Sequence, residues 1–95
     1  MRVHWTNRAL EHLLAIYEYI AKDSEHHALR MVDRLTQRSE KIADFPKIGR
    51  KVPEYEDEKI REVFEEPYRL IYRILPKQID VLAVVHGATL LPKDI

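Results

Sequence analysis

The segment that decides the fold runs from Phe45 to Tyr72 and reads FPKIGRKVPEYEDEKIREVFEEPYRLIY. It opens as a loop built on Pro46, Gly49 and Pro53, passes into one strand, IREVF, and then into a second, YRLIYRIL. The second strand alternates strictly. Tyr68, Leu70, Tyr72 and Ile74 point to one side, and Arg69, Ile71, Arg73 and Leu75 to the other. A half-buried strand needs only one apolar face. The other face here carries two arginines, with Arg61 of the neighbouring strand placed to project near them. Guanidinium groups standing on a sheet face are costly to leave without partners. The pattern therefore predicts either a structural ion-pair network or a surface that receives an anion or an acidic partner.

Working outward, Arg2 to Trp5 reads as a short first strand and Thr6 as a helix N-cap. A helix follows to about Lys22, with Ala9, Leu10, Leu13, Ile16, Tyr17 and Ile20 as its apolar stripe. Asp23 and Ser24 break it. Ser24 caps a second helix that runs to about Ala43 and buries Ala28, Met31, Val32, Leu35, Ser39 and Ile42. The short connection makes the two an antiparallel hairpin. After the loop come three strands, about 60–64, 68–75 and 78–86, with turns at Glu66-Pro67 and Pro76-Lys77. The order β-α-α-β-β-β is an α+β domain spanning 1–95, with the helical hairpin packed on one face of an antiparallel β-meander. The last strand, IDVLAVVH, is apolar on both faces and belongs in the sheet interior. Trp5, Tyr17, Phe45, Phe64 and Tyr72 are expected in the core, and Gly49 in a tight turn with positive φ.

Composition narrows the function. The chain of 95 residues has no cysteine, which excludes disulfides and thiolate metal sites. No apolar run approaches membrane-spanning length, so a soluble cytoplasmic protein without membrane attachment is expected. The formal net charge is zero, where non-specific nucleic-acid binders usually carry a clear positive excess. His4, His12, His26, His27 and His86 include no pair at i and i+4, so no metal site is expected, and no glycine-rich loop is present to hold a phosphorylated cofactor. His86 closes the last strand beside Gly87, a place where a strand-terminal structural histidine and a site residue read alike. Arg30, Arg34, Arg38 and Lys41 form a basic stripe on the second helix, which reads as a solvated face or as a grip for an acidic partner. A further set of cations remains: Arg50 and Lys51 in the loop, Lys59 and Arg61 at the first meander strand, Arg69 and Arg73 on the second. Converging on one face, they could stabilise a phosphoryl transition state or hold a partner's carboxylates. Arg61, Arg69 and Arg73 could equally pair across strands with Glu54, Glu62, Glu65 or Asp80.

The pieces WTNRAL, FPKIGRKVPE, KIRE, PYRLIYRI and IDVLAVVHGA, in this order and spacing, resemble the RelE/ParE superfamily of toxins from type II toxin–antitoxin systems over nearly the whole chain. The resemblance implies a helical hairpin packed on an antiparallel sheet. It also implies a cognate antitoxin, ParD-like or similar, whose C-terminal segment wraps the toxin in a hetero-oligomer. Two activities occur in the superfamily: RelE-like members cleave mRNA on the ribosome without a metal, and ParE-like members act on DNA gyrase. Lys59, Arg61 and Arg69 fall at positions similar to three basic residues of the nuclease branch, with His86 as a further candidate. Thr89 stands where that branch has a later arginine, and the tail beyond it has no tyrosine. Thr89 cannot supply a cation, and Leu90, Leu91 and Ile95 cannot act as a general acid. The tryptophan-led first helix, the GRKVPE loop and the HGA ending are ParE-like. The resemblance thus favours a gyrase-directed toxin, with Arg50, Lys51, Arg61, Arg69 and Arg73 as partner-binding residues and no cofactor. An endonuclease built on Lys59, Arg61, Arg69 and His86 is the alternative, and an inactive toxin kept as an antitoxin-binding module is a third reading.

Overall fold

The computed structural model describes residues 1–95. The elements run β1 (Arg2–Trp5), α1 (Asn7–Ala21), α2 (Glu25–Asp44), β2 (Arg50–Lys51), β3 (Ile60–Glu65), β4 (Tyr68–Ile74) and β5 (Gln78–His86). Both caps form as the residue types dictate. The Thr6 hydroxyl accepts from the Ala9 amide at 3.2 Å, and the Ser24 hydroxyl accepts from the His27 amide at 3.1 Å. Thr6 also donates to the Val81 carbonyl at 2.9 Å, which ties the start of α1 to β5.

One sheet of five strands carries the hairpin, in the order β1-β5-β4-β3-β2. The meander β3-β4-β5 is antiparallel as expected. Two features add to the expected order. The first strand joins parallel to β5, so the sheet is mixed. Arg50 and Lys51, expected as loop, form an additional edge strand against Glu62 and Arg61. A two-residue strand has no periodicity for a sequence to display.

The helix side of the sheet holds the main core, with Ile16, Leu35, Ile42, Leu70, Tyr72 and Val81 among its buried members. The opposite side is not left to water. Val52, Ile60, Ile71, Leu82 and Ala83 form a second cluster, covered by Tyr55 of the loop and by Leu91 and Ile95 of the C-terminal tail. A bulge in β5 explains its double apolar face: Tyr72 pairs with Val81 and Ile71 with Ala83, so Leu82 is the extra residue. Ile79 and Val81 point to the helices before the bulge and Val84 after it, while Leu82 and Ala83 both serve the second cluster.

Three expectations about burial are overturned. Phe45 is 66% exposed and Phe64 41%, and Leu10 on α1 is also exposed. Trp5 is half-buried, its indole N–H donating to Ser39 Oγ at 3.3 Å. Gly49 has no positive φ. Its reason is proximity: a Cβ there would lie 2.5 Å from the Glu62 carbonyl and 2.7 Å from the Tyr72 hydroxyl. That hydroxyl donates to the Pro46 carbonyl at 2.6 Å and accepts from the Gly49 amide at 3.0 Å, clamping the loop onto β4.

Candidate functional site

Strand register decides what the cations can do. Arg61 pairs with Tyr72, whose ring lies in the helix-side core, whereas Arg69 bonds to Glu62, one residue along β3 and on the other side. The expectation that Arg61 projects beside Arg69 is therefore wrong: they occupy opposite faces of the sheet.

On the face away from the helices, Arg69 is buried and saturated. Its Nε donates to Glu62 Oε1 at 2.7 Å, Nη2 reaches Glu54 Oε1 at 3.0 Å, and Nη1 reaches both Glu54 Oε2 and the Thr89 carbonyl at 3.1 Å. The Glu62 carboxylate, fully buried, takes a second cation through Arg50 Nε at 2.6 Å. Arg50 in turn lies over the Phe64 ring at 5.1 Å. Two arginines and two glutamates thus cancel. Arg69 holds the Glu54 carboxyl below the usual carboxylate range, and Glu54 foremost raises Arg69 further. The network also straps the tail: Glu54 Oε2 accepts from the Leu91 amide at 3.3 Å, and the Tyr55 hydroxyl donates to the Pro92 carbonyl. Cross-strand pairing, one of the two readings of these arginines, describes Arg69 with Glu54 and Glu62.

The remaining sequence candidates lie apart. Lys59 and Arg61 share a cleft of about 410 Å³ with Lys47, Ile74 and Leu75. Arg61 Nη1 donates to the Gly49 carbonyl at 3.0 Å, while its Nε is buried without a partner. Lys51 is exposed and pairs with Glu58 at 3.0 Å, holding that carboxyl below its usual range. Arg73 is half-buried and pairs in register with Ile60 and Asp80. His86 sits opposite Tyr68 at the other end of β4, its ring edge-on to the tyrosine with centroids 6.2 Å apart. Lys59 and Arg61 stand together; Arg69 and His86 stand elsewhere. On α2, Arg34 is engaged by Glu65 at 2.7 Å.

A further cleft lies between hairpin and sheet. Its volume is about 330 Å³, and it is floored by Ile16, Tyr68 and Val84 and walled by Ala15, Tyr19 and His86. His12 closes one side, its Nδ1 accepting from the Val84 amide at 3.2 Å. Burial, followed by nearby Arg8, keeps His12 below its ordinary pKa and so favours the neutral acceptor. Tyr19 is 71% exposed here. Tyr19 lies outside the main apolar stripe of α1, which is why helical periodicity did not mark it.

Known proteins share the sequence pattern and the fold. The family described as the ParE toxin of type II toxin–antitoxin system, parDE, matches residues 3–91. The protein Y4kP of Sinorhizobium fredii is 32% identical over 90% of this chain and 88% of its own length. Toxin RelE2 of Caulobacter vibrioides is 33% identical over 94% of this chain and 98% of its own. A chain of the chromosomal ParDE system from P. aeruginosa superposes with a TM-score of 0.75 at 25% identity, covering 90% of this chain and 95% of that one. The YoeB dimer from Staphylococcus aureus shares the fold, with a TM-score of 0.61 at 16% identity over 87% of this chain and 92% of that one.

Proposed function

The chain belongs to the ParE toxin family of type II toxin–antitoxin systems, and from that membership we propose that it inhibits DNA gyrase by protein contact and is held inactive by a cognate antitoxin. The observation that carries the gyrase reading over the nuclease one is the dispersal of the basic residues. Metal-free RNA cleavage needs cations around one phosphorane and an acid for the leaving oxygen. Arg69 is neutralised by Glu54 and Glu62 on one face, Lys59 and Arg61 lie on the other, and His86 is at the far end of β4. Thr89 offers Arg69 a carbonyl and no cation of its own. The nuclease alternative keeps one observation in its favour, the adjacency of Lys59 and Arg61 in an open cleft.

For the antitoxin, the cleft between α1 and the sheet suits an amphipathic helix laid across Ile16, Tyr19 and Tyr68. Arg30 and Arg34 stand at the same end of the molecule, where Arg34 reaches Glu65 beside Tyr68, and can take the helix's carboxylates. Co-expression with the product of the adjacent reading frame tests the partnership. The two are expected to copurify and growth to be restored. A chain that purifies as a well-behaved monomer and never retains that product sinks this reading.

A further inference from the structure

The opposite end of the molecule carries a second apolar surface that the antitoxin reading does not use. Two clefts, of about 410 and 570 Å³, meet along a ridge formed by Met1, Lys47 and Ile74. Phe45 and Ile48 line one, 66% and 50% exposed, and Met1 is exposed between the two. Lys59 and Arg61 line the other. These apolar groups are not loose. The Tyr72 hydroxyl binds both Pro46 and Gly49, and the close approach of Gly49 to β3 fixes the loop that displays them. A surface held in place before binding loses less entropy when a partner arrives.

The charge at this end is also unspent. Lys47 and Lys59 enter none of the molecule's ion pairs, and the Arg61 side chain donates only to the Gly49 carbonyl. Of the two acids present, Asp44 borders Phe45, and Glu58 is already occupied by Lys51. We propose that this trough is where the toxin grips its protein target, taking a segment that combines a bulky apolar side chain with neighbouring carboxylates. The inference rests on the toxin reading and adds a location to it. A toxin has two partners, and the antitoxin cleft and this trough are set well apart along β4. One is at the Tyr68 end of β4 and the other at the Ile74 end, six residues along and about 20 Å away. The exposed phenyl and aliphatic groups favour a protein segment over a nucleic-acid backbone, which would draw on the cations alone.

Two paired variants test the assignment: Phe45→Ser with Ile48→Ser, and Lys47→Glu with Lys59→Glu. All four side chains are exposed, so both proteins should melt as the parent does. Each is expected to lose growth arrest and to weaken gyrase inhibition by on the order of thirtyfold, as loss of central interface anchors does. Antitoxin affinity, measured by calorimetric titration, should stay within about threefold. Full growth arrest by the serine pair overturns the proposal. Loss of antitoxin affinity together with arrest gives the trough to the antitoxin and also overturns it. Arrest lost by the glutamate pair but kept by the serine pair marks a phosphate-reading surface, a third contradiction. A parent chain that arrests growth without touching gyrase refutes the gyrase reading alone, because the trough's prediction is still read in the growth assay. A parent that does not arrest growth removes the toxin reading, and the proposal with it.

Discussion

Arg69 has the chemistry of a functional cation and the surroundings of a structural one. Five N–H donors on a buried guanidinium require acceptors, and Glu54, Glu62 and the Thr89 carbonyl provide them. Removing it strands Glu62, whose carboxylate is fully buried and would be left with Arg50. Breaking one side of such a pair costs about 3–5 kcal/mol, a large part of the stability of a small domain. Arg69→Ala should therefore lower the melting temperature by roughly 12 °C or more and reduce growth arrest in step with it. Replacing the pair by apolar groups, Arg69→Met with Glu62→Leu, should recover part of the lost stability: the fully buried carboxylate is then gone, while Glu54 and Arg50, which lose their partners, keep access to water. Thermal melts beside a growth assay read both. An Arg69→Ala protein that melts as the parent does but no longer arrests growth would move Arg69 from scaffold to contact residue. The sequence displayed the two arginines of β4 and both sets of acids that could meet them. It did not display which acids fold over, because Glu54 arrives through an irregular loop whose path no periodicity encodes.

The loop between α2 and β3 shows the same limit for an element. Its prolines and Gly49 announce a break in regular structure, and that much was legible. The reason for Gly49 was not. The position needs space rather than a positive φ, since β3 and Tyr72 stand where a side chain would go. Gly49→Ala should thus force the loop off β4 and destabilise the protein by about 1–3 kcal/mol, and Tyr72→Phe, which unties both hydroxyl bonds, by a similar amount. Denaturant unfolding of the two variants checks this. Parent-like midpoints for both would show that the loop is not clamped in solution. The helix caps, by contrast, were readable from single residues, because Thr6 and Ser24 act within three positions of themselves. The exposure of Phe45 and Phe64 was not readable. Aromatic content predicts burial on average, and the trough at Phe45 and the Arg50 contact at Phe64 are tertiary arrangements.

At the scale of the whole molecule, a hairpin on one side of the sheet and a strapped tail on the other leave apolar surface open at both ends of β4. The resemblance read from five short pieces of sequence gave the fold and the toxin family. The parallel docking of β1 escaped because a four-residue strand contains nothing that selects its neighbour. The separation of Arg61 from Arg69 follows from register alone and could have been drawn once β3 and β4 were paired. It bears most heavily on mechanism, since it parts the cations that RNA cleavage would have to gather. The measurement that addresses this directly is supercoiling of relaxed plasmid by purified gyrase with the purified chain added, run beside a translation reaction in which mRNA ends are mapped. A gyrase-directed toxin inhibits supercoiling or accumulates gyrase-linked breaks, with intact mRNA. Codon-specific cuts in the ribosomal A site, with gyrase unaffected at the same concentration, would contradict the gyrase reading.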